Sequence, residues 1–199
     1  MPSEFNTGLG SRRAIYAPFP QAVPKKDVID KEEERLCRAA CRDACPLHMN
    51  VPGYIKLIAE EQNEEAYRLI RATNPLPAIC GRICYAPCQE ACNRGQIDEP
   101  LAIRDLKRFV TDYSDIEKLE VPTVEPTGKN VAIIGAGPAG LVAAHDLALR
   151  GHKAVIFEAL TKPGGMLLVG IPEYRLPKEV VRKEIEYITK LGVEIKTGV

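Results

Sequence analysis

The chain has 199 residues, 45% of them hydrophobic and 27% charged, enough to bury one medium core or two small ones. Lys plus Arg and Asp plus Glu both total 27, so the charges cancel and neither nucleic acid nor a membrane surface is implied as a partner. Tryptophan is absent, and the three histidines, His48, His145 and His152, lie far apart, which argues against a histidine-centred metal or acid–base site.

Residues 1–26 carry Pro2, Pro18, Pro20 and Pro24 with little periodicity and are expected to form an extended arm. Met1 to Pro20 shows no apolar run of a secretory signal, so a cytoplasmic protein is expected. Residues 27–118 read as an all-α domain. A helical pattern spans 27–45, Pro52-Gly53 interrupts before a helix from Tyr54 to Glu60, and a third helix from Glu64 to Thr73 stops at Asn74-Pro-Leu-Pro77. Pro100 opens a further helix over Leu101 to Leu119. Residues 119–129, rich in proline and threonine, read as a linker. Residues 130–199 then switch to strand, helix and strand, an α/β unit. Its least polar stretch, Val131 to Leu149, contains three glycines, His145 and Asp146, which suit a strand-turn-helix better than a bilayer span. The helix predicted over Lys178 to Leu191 places Val180, Val181, Ile185 and Ile188 inward, its charged remainder forming a solvated face.

Seven cysteines fall in two runs, Cys37, Cys41 and Cys45, then Cys80, Cys84, Cys88 and Cys92. An odd number without an export signal favours reduced thiols or metal over a disulfide framework. On one continuous helix four-residue steps would align the thiols in a stripe, which cannot surround a cluster. Pro46, Gly81 and Pro87 are expected to break the helices and let both runs converge on iron–sulfur chemistry. Buried apolar cysteine is the bland alternative. Zinc is the competing metal, although its usual paired two-residue spacing is absent.

The predicted strand Val131-Ala-Ile-Ile134, short and buried, leads directly into Gly135-Ala-Gly137-Pro138-Ala139-Gly140 and a helix over Leu141 to Leu149. Gly135 permits a tight turn, Gly137 allows backbone to approach a pyrophosphate, and Gly140 allows close helix–strand packing. The phosphates would sit on the helix N-terminus. Glu158, at the end of the next strand, Val155-Ile-Phe157, is placed to accept ribose hydroxyls.

The segments Ala44-Cys-Pro46, Val51-Pro-Gly-Tyr-Ile55, Asn74 to Cys84, Pro87-Cys-Gln-Glu-Ala-Cys92 and Leu106-Lys-Arg-Phe109 resemble the N-terminal domain of the small subunit of NADPH-dependent glutamate synthase, a domain shared by dihydropyrimidine dehydrogenase and bifurcating transhydrogenases. The resemblance covers residues 30–199. It implies an all-α iron–sulfur domain followed by an incomplete Rossmann-like FAD-binding domain. It also implies two interleaved 4Fe-4S clusters, one on Cys37, Cys41 and Cys92, the other on Cys45, Cys84 and Cys88, with Cys80 matching a cysteine that is often not a ligand. Two departures leave one cluster or two open. The family's first run usually has four cysteines, and Lys107 stands where the family often carries a ligating Glu or Gln. FAD, rather than NAD, is implied by Pro138 and by Lys162-Pro-Gly-Gly-Met166, where Gly164 and Gly165 would let the chain cross the cofactor beside Met166, and by Ile171 to Pro177, where Arg175 would reach the FAD.

This resemblance implies an NAD(P)H-dependent oxidoreductase that passes electrons from FAD through the clusters to a redox partner subunit, the large glutamate synthase subunit or another iron–sulfur protein. With a single glycine fingerprint, NAD(P)H would bind only in a complete enzyme and the isolated chain would be inactive, so a fragment or a split subunit is expected. Arg13 to Pro24 with Val28-Ile-Asp30 resembles a segment of the flavin subunit of heterodisulfide reductase, which makes a bifurcating or heterodisulfide-reductase-type complex the alternative assembly. A non-catalytic cluster-binding assembly module is the alternative outside enzymology.

Overall fold

The computed structural model describes residues 39–114, 119 and 121–199. The proline-rich arm and Cys37 lie outside these. The first part holds α1 (Ala40–Ala44), α2 (Val51–Ala59), α3 (Asn63–Arg71), α4 (Pro77–Ile83), α5 (Pro87–Glu90) and α6 (Ile103–Tyr113), with a 3-10 turn at Asn93–Gln96. Pro52 lies inside the first turn of α2, where a missing N–H forfeits no helical hydrogen bond. Asn50 caps that turn, its Oδ1 accepting from the Gly53 N–H at 3.0 Å. The helix therefore begins at Val51 rather than at Tyr54. Val51, Tyr54 and Leu57 bury against Ala66, Tyr67 and Ile70 of α3 and Ile103 and Val110 of α6.

Gly81 does not break its helix as expected. It sits inside α4, and a Cβ there would stand 3.0 Å from the Arg108 Cα of α6. Its service is close helix approach. The break between Cys84 and Cys88 falls instead at Ala86, whose φ of 60° is left-handed and leads into Pro87 at the start of α5.

Residues 121–129 form no regular element, though the Thr127 N–H donates to the Gly151 carbonyl at 2.9 Å and fastens this stretch to the α/β part. That part holds β1 (Asn130–Ile134), α7 (Pro138–Ala148), β2 (Lys153–Glu158), α8 (Met166–Val169), α9 (Lys178–Lys190) and β3 (Glu194–Thr197). The strands form a parallel sheet in the order β1-β2-β3, with Ile133 opposite Ile156 and Ile156 opposite Ile195. Among the described residues β1 pairs only with β2, so Ile134 is 85% exposed and the strand is not the buried one that its apolar run predicts. A short parallel sheet after a helical part is the expected class, with the sheet incomplete.

The two parts share a core: Leu76 and Ile79, flanking the start of α4, belong to the apolar cluster of Leu141, Ile156, Val181 and Ile188. At the same junction the charged remainder of α9 departs from the solvated face predicted for it. Glu184 is 0% exposed, and it accepts hydrogen bonds from the Ala78 N–H at 2.8 Å and from Arg71 at 2.5 Å.

Candidate functional site: two cysteine runs and a glycine cradle

α1 carries Cys41 and ends at Cys45, α4 carries Cys80 and ends at Cys84, α5 carries Cys88, and Cys92 precedes the 3-10 turn. All six are free thiols. α1 packs on α5, which brings the first run against the second. The buried Cys88 and the partly buried Cys41, Cys45 and Cys92 all belong to the helical core cluster. The thiols also sense one another across the runs. Burial pushes Cys41 up, and neighbouring Cys92 and Cys45 add to it. Burial likewise pushes Cys88 up, helped by Cys45 and Cys84.

Tyr54 is the residue that sequence reasoning missed as part of this site. It is 1% exposed, donates its hydroxyl to the Ile103 carbonyl at 3.4 Å, and has its phenol pushed up by burial and then by Cys88, Cys45, Cys41 and Cys84. One ring thus lies near thiols of both runs. The signal was its place in Val51-Pro-Gly-Tyr-Ile55, on the inward face of α2 beside Val51 and Leu57.

The donor set fits an iron–sulfur cluster. Its sulfur atoms lie in apolar surroundings, and the Ala86 N–H donates to Cys84 Sγ at 3.4 Å, a bond of the kind that tunes such clusters. Among the described residues no three Cys, His, Asp or Glu side chains stand at the spacing of a single metal ion. A four-iron cube holds its thiolates further apart than one ion does. The Cys80 thiol is pushed up by burial and drawn down by the Lys107 ammonium and an Asn74 side-chain hydrogen bond, with Cys84 a further neighbour that raises it.

In the second part the turn from β1 to α7 is built as the glycines predict. Gly135 has φ 91°, the left-handed region. A Cβ on Gly140 would sit inside the van der Waals envelope of the Gly135 carbonyl oxygen, whereas one on Gly137 would meet nothing within 4 Å. Gly140 is therefore a packing requirement, and Gly137 faces open space in front of the α7 N-terminus. The Gly164-Gly165 loop closes over this turn, with the Gly164 N–H donating to the Ala136 carbonyl at 2.8 Å and an imagined Gly165 Cβ at 3.0 Å from Gly137 Cα. Pro138, Ala139, Met166 and Arg175 are exposed around this mouth or beyond α8.

Glu158 is placed differently from the simple expectation. Its Oε2 accepts from the Ala136 N–H at 2.6 Å and its Oε1 from the Leu160 N–H at 2.9 Å. These backbone donors, Leu160 first, hold its carboxyl below the usual range. The side chain thus fastens the glycine turn to the end of β2, and its remaining lone pairs can still accept hydroxyls.

Residues 21–119 match the family described as dihydropyrimidine dehydrogenase domain II, 4Fe-4S cluster, and residues 133–190 match the NAD(P)-binding Rossmann-like domain. The chain is 46% identical over 181 residues to the NADP(+)-dependent formate dehydrogenase subunit beta of Moorella thermoacetica, covering 79% of this chain and 26% of that protein. It is 42% identical over 173 residues to the NAD-dependent dihydropyrimidine dehydrogenase subunit PreT of Escherichia coli K12, covering 83% of this chain and 42% of the relative. It is 38% identical over 181 residues to the glutamate synthase [NADH] of Schizosaccharomyces pombe, covering 85% of this chain and 9% of that one. The chain therefore spans less than half the length of each of these relatives. Among the described residues no helix is long and apolar enough to cross a membrane.

Proposed function

The chain belongs to the glutamate synthase small-subunit family, and from that premise we propose that it is an electron-transfer part of an NAD(P)H-dependent oxidoreductase, holding FAD in the glycine cradle and 4Fe-4S chemistry on the two cysteine runs. The observation that carries this is Tyr54, one buried ring with the thiols of Cys41, Cys45, Cys84 and Cys88 as its neighbours, because isolated structural cysteines have no reason to gather around one side chain. When bound, FAD supplies the exchange between a two-electron donor and one-electron carriers.

The chain's own residues do the placing. Gly137 leaves backbone open to a diphosphate at the start of α7, Glu158 fixes the turn and offers lone pairs to ribose hydroxyls, and the Gly164-Gly165 loop shields the turn. Arg175, exposed, is free to reach an anionic group on FAD. Cys41 and Cys92, with Cys37, would serve one cluster, and Cys45, Cys84 and Cys88 the other. The proposed destination is a partner subunit in a cytoplasmic complex. Higher identity to the formate dehydrogenase beta subunit than to glutamate synthase supports a beta subunit of an NADP-linked complex over glutamate production.

The test is composition and colour. Protein prepared anaerobically is analysed for iron, acid-labile sulfide and flavin, and its visible spectrum is recorded. Iron with sulfide and flavin bands supports the proposal, and cluster absorption without flavin would move it to an assembly module. Stoichiometric zinc without sulfide sinks it.

A further inference from the structure

We propose that Lys107 is a fixed counter-charge that sets the reduction potential of the cluster on Cys45, Cys84 and Cys88, an inference that rests on the cluster reading above. α6 packs against both α4 and α5, the helices that bring Cys80, Cys84 and Cys88 to the site. The approach to α4 is closest where Gly81 meets Arg108, because Gly81 has no side chain to hold α6 away. Lys107, next to Arg108 in sequence, is buried on this helix.

α6 carries three cations, of which Arg108 is exposed and Arg104, half-buried, donates to the Cys84 carbonyl at 3.3 Å. Arg104 pairs with Asp105 at 3.6 Å and Arg108 with Asp112 at 3.3 Å, all four at least partly exposed. Lys107 is 6% exposed, and among the described residues no carboxylate forms an ion pair with it. Cys80 and Cys88 both have this ammonium as a charged neighbour. A buried ammonium without a carboxylate is costly unless another anion stands nearby. Thiolates bound to iron provide that anion permanently. A cluster gains one negative charge and no proton when it takes up one electron, here the electron that FAD releases in the proposed function. A cation fixed in a low-dielectric neighbourhood stabilises that added charge and so favours the reduced state.

The experiment is a redox titration of the anaerobically reconstituted full chain, poised with dithionite and mediators and read by electron paramagnetic resonance. Wild type is compared with Lys107→Met, Lys107→Leu and Lys107→Arg, each checked for iron and sulfide. The neutral variants are expected to be reduced with an equilibrium constant about tenfold or more lower, a fall of 59 mV or more for a one-electron couple. Lys107→Arg, which keeps the charge, should stay near wild type. An unchanged potential in a neutral variant with full iron content overturns the inference. Should both neutral variants fail to assemble the cluster while Lys107→Arg succeeds, the requirement for positive charge stands; failure of Lys107→Arg as well would make the residue a matter of shape and overturn it. Wild-type chain without iron and sulfide would sink the cluster reading itself, a result separate from an unmoved potential.

Discussion

Arg71 and Glu184 meet across the junction of the two parts, Arg71 Nη2 donating to Glu184 Oε2 at 2.5 Å while Ala78 N–H donates to the other carboxylate oxygen at 2.8 Å. Arg71 also donates to the Pro75 carbonyl and the Tyr67 hydroxyl, both at 3.0 Å, and its guanidinium lies 4.1 Å from the Tyr187 ring centroid. The pair ties α3 and the start of α4, the helix of Cys80 and Cys84, to α9 of the nucleotide-binding part. Glu184→Ala leaves a buried guanidinium without its partner and is expected to cost about 3–5 kcal/mol of unfolding free energy, against much less for the double variant Arg71→Met with Glu184→Leu. Urea unfolding of the three proteins measures both. Equal stability of wild type and Glu184→Ala would show that the junction is held by its apolar contacts alone.

Gly140 and Gly137 separate packing from ligand approach. Gly140→Ala pushes a methyl into the Gly135 carbonyl oxygen and is expected to destabilise the second part by about 1–3 kcal/mol or more, lowering its melting temperature with or without flavin. Gly137→Val meets no protein atom within 4 Å of its Cβ and should melt near wild type, yet lose FAD binding by steric block. Thermal melts with flavin fluorescence titrations distinguish the two, and FAD binding unchanged in Gly137→Val would place the diphosphate elsewhere.

Glu158 gives the site a dependence on acid. Because its folded carboxyl is held below the ordinary value, its stabilising contribution is complete above that ordinary value and is lost as pH falls through the lowered one. Wild type is therefore expected to release flavin as pH falls through that lowered value, whereas Glu158→Gln, which takes up no proton and whose amide is a weaker acceptor for the Ala136 and Leu160 N–H groups, should bind more weakly at neutral pH with a flatter acid dependence, and Glu158→Ala should bind about tenfold more weakly at neutral pH. Acid titration of flavin fluorescence reads both. Identical curves for wild type and Glu158→Gln would remove the carboxylate from the argument.

The cysteine spacing and the glycine turn were legible because each expresses a local chemical need, thiol density for one and absent side chains for the other. The helix over Lys178–Lys190 was legible too, but its buried carboxylate was not, because a charge set among Val181, Ile185 and Ile188 finds its meaning only in a partner more than a hundred residues away. The apolar stripe did hold the clue: Glu184 lies three residues after Val181 and four before Ile188, on the inward face. Gly81 misled in the opposite way. Glycine signals a break in sequence, yet here helix geometry persists and the missing side chain admits Arg108. Ala86 takes the left-handed turn instead, which no local rule assigns to alanine.

Whether the six described thiols serve one cluster or two is decided by combining substitutions across the runs. Cys41 has Cys92 and Cys45 as neighbouring thiols, and Cys88 has Cys45 and Cys84, so Cys45 is common to both sets. If each set holds its own cluster, Cys41→Ser with Cys92→Ser should lose no more iron than either substitution alone, since ligands that act as a unit are not additive. Cys41→Ser with Cys88→Ser should then lose about twice as much iron as either alone. Iron and sulfide counts on anaerobically purified variants, with circular dichroism to confirm that the helices remain, give the answer. Equal, complete loss in every single variant would mean one cluster spanning both runs. That result would also place Tyr54, which adjoins four of the thiols, at the wall of that single cluster rather than between two.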